Sequence, residues 1–255
     1  MGPIRGALID VDGTLLDGEA AIPGAAEAIA RLRARRIVFR LTTNTTRRPR
    51  SAIAAALARV GVAVKAEEIV IPASLARQRI AGSGKLRTGL LVPEPCLEDL
   101  EGVEPVGEDP DWVVVGDLGP GFTFDRLNEA FTWLRGGADL IALHKNRYWH
   151  AGARGVVLDA GPFVAALEFA TGRRAEVVGK PSAAFFELAL ADLGLPAGDV
   201  VCVGDSLEND CIGAAGAGCR TALVRTGLFD AQELSRSGFR PDAILDSIDD
   251  LMTGE

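Results

Sequence analysis

Short apolar runs alternate with helical patterns along much of the chain. The first run, Ile4–Ile9, stops at Asp10, and Pro23 then opens an alanine-rich helix whose apolar positions include Ile29 and Leu32. A second run, Ile37–Leu41, passes into polar Thr42–Asn44 and is followed by a helical stretch through Ala52–Val60. Continuous apolar strands joined through helices predict a parallel sheet covered on both faces. The handedness of such crossovers makes a doubly wound, Rossmann-like α/β sheet the expected fold.

The same order returns late in the chain. Val177–Val178 leads into Gly179–Lys180–Pro181 and a helix through Phe185–Leu193. Val200–Val203 runs into Gly204–Asp205, Thr221–Val224 and Ile244–Leu245 read as further strands, and Ile248–Met252 closes the pattern. The intervening stretch has a different texture. It holds strand candidates Leu90–Val92, Trp112–Val115 and Leu140–Leu143, a helix through Phe124–Leu134, and Trp112, Trp133, Trp149 and Tyr148. Residues 82–172 therefore read as an inserted α/β domain within a core formed by 1–81 and 173–255.

Composition narrows the classes. Asp and Glu number 35 against 27 Lys and Arg, a formal charge of −8, which argues against a nucleic-acid partner. The basic patches Arg31–Arg36 and Arg47–Arg50 read as solvated helix ends, with Arg47 or Arg48 alternatively attracting an anionic substrate. The four cysteines form no CxxC pair and only His144 and His150 accompany them, so a zinc site is not expected. Cys202 lies in an apolar strand and reads as a buried thiol. No apolar run reaches membrane-spanning length, and the expectation is a cytoplasmic protein with no membrane partner.

Chemistry concentrates at the strand ends. Asp10–Val11–Asp12–Gly13–Thr14–Leu15 follows the first strand, and ligands of open α/β sheets bind beyond the carboxyl ends of strands. A buried acid is costly unless it is paired or bound to a metal. Gly204–Asp205–Ser206–Leu207–Glu208–Asn209–Asp210 places more acids after another apolar strand, while Thr43 and Lys180 stand at what read as two further exits. Asp10, Asp12, Asp205 and Asp210 against one lysine leave an excess of negative charge that would repel a phosphate. A divalent cation corrects this, and an all-oxygen donor set favours Mg²⁺, with Mn²⁺ also able to fit.

These motifs, in this order, resemble the four of the haloacid dehalogenase (HAD) superfamily: Asp10–Leu15, Thr43 within Leu41–Asn44, Lys180 within Gly179–Pro181, and Gly204–Asp210. Leu41–Thr46, His144–Tyr148 and Gly161–Ala170 also look like a subgroup of its phosphatases carrying an α/β cap of type C2B. The resemblance implies a HAD-like core with an inserted C2B cap domain, and Mg²⁺-dependent hydrolysis of a phosphomonoester or related phosphoryl compound. Asp10 would attack phosphorus and Asp12 would act as general acid and then base. Thr43, Asn44 and Lys180 would hold the phosphoryl group; Asp205, with Asp10 and the Asp12 carbonyl, would hold the metal; Asn209 and Asp210 would support them. Arg147 and Tyr148, in the polar, aromatic segment His144–His150, are candidate substrate contacts. The implied partners are a small phosphorylated molecule or a phosphorylated side chain, with a homodimer formed through the cap.

The same residues admit rival readings. Phosphoamino acids or inorganic pyrophosphate could be the substrate, or the fold could bind a phosphoryl ligand without turnover. Dehalogenation is disfavoured because Asp12 and Asp205 are both present. A phosphomutase would usually carry its cap between the first two motifs, and here the long step lies between Thr43 and Lys180. Gly82–Ser83–Gly84–Lys85 is followed by Leu86 and preceded by Arg79 where a phosphate-binding loop needs glycine, so that pattern fails.

Overall fold

Every residue of the strand Gly6–Asp10 is buried, as the apolar run before Asp10 predicts of a strand inside a parallel sheet. In the computed structural model, which describes residues 4–150 and 155–251, six strands pair in parallel. Their order is Ala243–Leu245, Arg220–Val224, Val200–Gly204, Gly6–Asp10, Val38–Thr42 and Ile69–Val70. The chain leaves Gly6–Asp10 on one side first and returns on the other, so the strand order reverses beside Asp10. That reversal opens a crevice at the carboxyl edge, where ligands of such sheets bind.

Helix Ala183–Leu193 begins where the Ser182 side chain accepts a hydrogen bond from the Phe185 backbone N–H and ends at left-handed Gly194. It drives Phe185 and Phe186 into a cluster with Leu8, Val200 and Cys202. Full burial of one such aromatic stabilises the fold by roughly 1.5–3 kcal/mol. Cys202 is buried, and burial pushes its thiol well above the usual range, in keeping with an inert core thiol.

The residues divide into two compact units. The first holds the segment ending at Thr43, Arg50–Val70 and the chain from Lys180 onward; the second holds Asn44–Pro49 and Ile71–Gly179. The second unit therefore spans more than 82–172, taking in helix Pro72–Ser83 and the short linker after Thr43.

The second unit has its own parallel sheet, ordered Glu176–Val177, Asp139–Ala142, Trp112–Val115, Arg87–Leu91, Glu104–Pro105. Helices Phe124–Gly136 and Ala160–Thr171 cover its core, which includes Val113, Val115, Trp133, Leu134 and Val164. Tyr148–His150 and Val156–Leu158 form an antiparallel pair.

One strand expectation is corrected. Val177 belongs to the second unit's sheet, where it pairs with Ala142, and not to the six-stranded sheet. Its apolar character is the same in either location, and only tertiary pairing separates the two. The last apolar segment is a 3₁₀ turn, Ile248–Asp250, and Met252 lies outside the described residues. No helix among the described residues is long and apolar enough to cross a membrane.

Candidate active site

Two neighbouring parallel strands bring the acids together. Gly6–Asp10 and Val200–Gly204 run in register, with Ile9 opposite Val203, so Asp10 and the turn containing Asp205 leave the sheet at the same level. Asp10 and Asp205 are buried, and Asp210 is fully so. Carboxylate oxygens of these three residues lie within 4.8 Å of one another. Asp210 arrives through a π-helical turn, Leu207–Ile212, whose start is capped by the Ser206 side chain accepting from Asn209 N–H. Such turns are uncommon and concentrate at functional sites.

Lys180 is the counter-charge. Its Nζ donates to Asp10 Oδ1 at 2.6 Å and to Asp210 Oδ1 at 2.7 Å, and the side chain is 3% exposed. It does not project from a core strand, since the strand before it belongs to the other sheet. It reaches the acids from the short connection leading to helix Ala183–Leu193. Asp210, read from the sequence as a support, touches Lys180 directly and also accepts from Ser206 N–H at 3.1 Å.

Electrostatics follow from burial. Desolvation raises Asp10 well above the carboxylate range; Lys180 opposes this, while Asp210 and Asp205 add to it. Asp205 is pushed up to about 7, first by burial and then by Asp210. For Lys180, burial works against the charge, but Asp10 and Asp210 outweigh it and hold its pKa above the ordinary lysine value. Three buried acids facing one ammonium form a site short of positive charge. The donors are hard oxygens, so the residues present fit a divalent cation such as Mg²⁺.

Asp12 differs from Asp10. It is exposed, and its Oδ2 accepts a 3.2 Å hydrogen bond from the Thr43 hydroxyl, which is itself buried. Thr43 directly follows strand Val38–Thr42, so the second motif stands beside the first at the sheet edge. Thr14 Oγ1 donates to Asp10 Oδ2 at 3.4 Å.

Two glycines make room for the Asp205 carboxylate. Gly13 (φ 86°) and Gly227 (φ 57°) occupy left-handed backbone, and a Cβ on either would stand 1.9 Å from Asp205 Oδ2. Asp205 Oδ2 instead accepts from Leu228 N–H at 2.6 Å, and the Thr226 hydroxyl donates to the Gly13 carbonyl at 2.6 Å. Thr226–Leu228 was not anticipated from sequence. The segment carries no motif, and its part appears only when its strand, Arg220–Val224, is paired beside Val200–Gly204.

The remaining expected contacts, Asn44, Arg147 and Tyr148, belong to the second unit. Arg147 and Tyr148 are exposed and line a groove of about 620 Å³ with Val157, Leu158, Pro162 and Ala165. None of Asp10, Asp12, Thr43, Lys180 or Asp205 lines it. His144, by contrast, is buried, so the stretch beginning there is not a uniform recognition surface. The side chain of His150 lies outside the described residues.

Comparison with known proteins matches both ends of the chain to family profiles: "haloacid dehalogenase-like hydrolase" over residues 7–104 and "HAD-hydrolase-like" over 177–251. Haloacid dehalogenase-like hydrolase domain-containing protein 2 of Bos taurus is 39% identical over 230 residues, which is 90% of this chain and 87% of that protein. Phospholysine phosphohistidine inorganic pyrophosphate phosphatase of Homo sapiens is 36% identical over 251 residues, 96% of this chain and 92% of that one. Among solved structures, 4-nitrophenylphosphatase of Thermotoga maritima superposes with a TM-score of 0.90 at 28% identity, covering 97% of this chain and 96% of its own. With family profiles matched at both ends and relatives aligned along nearly their whole length, this chain belongs to the haloacid dehalogenase-like hydrolases.

Proposed function

We propose that the protein is a Mg²⁺-dependent phosphatase acting on a phosphomonoester or related phosphoryl compound through an aspartyl phosphate on Asp10. The observation that carries this reading is Asp10 buried at the end of the first strand, 2.6 Å from Lys180 and grouped with Asp205 and Asp210. Asp10, Asp205 and the Asp12 backbone carbonyl would hold the cation, with Asp210 and Asn209 supporting the arrangement. A cation bound there offsets the negative cluster and polarises phosphoryl oxygens.

In the first half-reaction a carboxylate oxygen of Asp10 forms the bond to phosphorus as the bond to the leaving oxygen breaks. Asp12 delivers its proton to that oxygen. Water then attacks the phosphorus of the aspartyl phosphate, Asp12 takes up the water's proton, and phosphate departs with Asp10 restored. Lys180 steadies the charge on Asp10 and on the phosphoryl oxygens, and Thr43 and Asn44 hydrogen-bond the group in place. Phosphoryl transfer asks mainly for such positioning and charge stabilisation.

Residues 82–172 act in this reading as the cap that selects the substrate, a small phosphorylated molecule or a phosphorylated side chain. The name of the human relative favours phosphoamino acids and inorganic pyrophosphate as a second substrate reading. The homodimer through the cap is retained with it, and sedimentation of the intact chain is its check. The test of the chemistry is hydrolysis of an aryl phosphate by wild type and Asp10→Asn, with and without a chelator. An amide is a poor nucleophile, so turnover falls by several powers of ten while the fold is kept. Chelator-resistant wild-type activity, or a mutant near wild type, rejects the mechanism.

A further inference from the structure

The carboxyl edge of the second unit's sheet already holds a piece of its own chain. Thr46 is buried, and the exits of three neighbouring strands grip it. Past Trp112–Val115, the Asp117 backbone N–H donates to Thr46 Oγ1 at 2.8 Å. Past Asp139–Ala142, His144 Nε2 lies 3.4 Å from the same oxygen. Past Arg87–Leu91, the Cys96 thiol donates to the Thr46 carbonyl. Next in sequence, Arg47 pairs with Asp117 and lays its guanidinium over Trp149, 4.8 Å from the ring centroid. Arg47 is thereby engaged in holding the linker.

Two of the four points where the chain passes between the units, after Thr43 and before Lys180, come together at this edge within the second unit. Gly179 packs so closely that a Cβ there would stand 2.3 Å from the Leu143 carbonyl and 2.7 Å from Asn44 Oδ1. Asn44 follows Thr43, and Gly179 precedes Lys180. Thr46 lies only three residues past Thr43, within about 10 Å of extended chain.

We propose that Thr46 is a positioning residue: gripped from three strands of the second unit, it fixes the backbone that carries Thr43 and, through Asn44 against Gly179, the backbone that carries Lys180. The proposal rests on the phosphatase reading of those two residues. It makes the insertion a jig for the phosphoryl site in addition to a cap. Thr46→Val keeps the shape but removes the hydroxyl, leaving the Asp117 N–H without its acceptor, whereas Thr46→Ser keeps the oxygen.

The experiment measures nitrophenyl phosphate turnover per folded molecule at saturating Mg²⁺, well below each variant's Tm. It adds the orthovanadate inhibition constant, the Mg²⁺ activation constant, and hydrogen exchange of peptides spanning 42–49 and 177–182. Misplacement by about 1 Å costs on the order of 10²-fold, so kcat in Thr46→Val is expected to fall by roughly 10–10²-fold. Vanadate inhibition weakens and both peptides exchange faster, the Mg²⁺ activation constant moves less than kcat because neither Thr43 nor Lys180 is a proposed ligand of the cation, and Thr46→Ser behaves like wild type. Cys96→Ala, which frees only the Thr46 carbonyl, gives a smaller change in the same direction and replaces Thr46→Val should that variant not fold. Wild-type turnover that depends on Asp10, combined with unchanged vanadate inhibition and exchange in Thr46→Val, overturns the positioning role alone. A wild type without turnover removes the phosphatase reading and this role with it.

Discussion

Asp10 and Asp12 sit two residues apart in very different surroundings. Asp10 is buried against Lys180, while Asp12 is exposed and accepts from Thr43. A carboxylate locked to an ammonium suits attack on phosphorus, and one open to solvent suits exchanging a proton with a leaving group and then with water. Loss of Asp12 is therefore expected to harm poor leaving groups most. General acid–base participation is typically worth about 10²–10⁴ in rate, so Asp12→Asn should lose a factor of that order in kcat/KM, which reports only transfer to Asp10, on an alkyl phosphate and much less on a nitrophenyl phosphate. Steady-state kinetics on the two substrates at saturating metal provides the check. An equal loss on both removes the leaving-group role.

At the scale of elements, Asp10 and Thr43 stand at strand ends, Lys180 comes from a connecting segment, and the recognition candidates stand at an antiparallel strand pair. Arg147 directly precedes strand Tyr148–His150, which pairs only with Val156–Leu158 among the described strands. Arg147 and Tyr148 are both exposed there and line an apolar groove. Arg147 offers a fork of charged donors, and Tyr148 an aromatic surface with a hydroxyl. Replacing either with alanine is expected to shift relative kcat/KM among natural phosphates more than it changes turnover of a small artificial one. A panel assay with thermal melts alongside measures this, and folded variants that keep the wild-type preference take this strand pair out of substrate selection.

For the whole molecule, the acid cluster links stability to pH and to metal. In the metal-free protein Asp205 is pushed up to about 7 by burial and by Asp210, and Asp10 is raised as well. An unfolded aspartate titrates near 3.9, roughly, so between the two values the folded chain binds protons that the unfolded chain has released. The resulting stability is fully present below the unfolded value and is lost as pH rises through the folded one. Metal-free protein should accordingly melt at lower temperature at pH 8 than at pH 6, if other groups contribute equally at both. Cation binding relieves the same repulsion in competition with protons, so added Mg²⁺ should raise Tm more at about pH 8 than at about pH 6. Thermal melts with chelator and with Mg²⁺ at both pH values test this, and a Mg²⁺ effect that is equal or larger at the lower pH contradicts it.

The sequence by itself determined the α/β class and the position of nearly every strand and helix that carries chemistry. Apolar runs such as Val200–Gly204 and acids placed directly after them are local signals, readable without knowing what pairs with what. It also picked out Asp10, Asp12, Asp205, Asp210 and Lys180 as residues that needed one another, because uncompensated charge cannot be left in an interior; the structure groups three of those acids and leaves Asp12 exposed. Tertiary structure decided the partners. It moved Val177 into the second sheet, because a two-residue apolar strand matches either sheet equally well. It brought Asp210 onto Lys180 through a π-helical turn that no residue pattern announces. It also turned His144 inward to Thr46 and set Gly13 and Gly227 against Asp205. Each of these contacts joins residues distant in sequence, and only the packing of strands and turns brings such residues together.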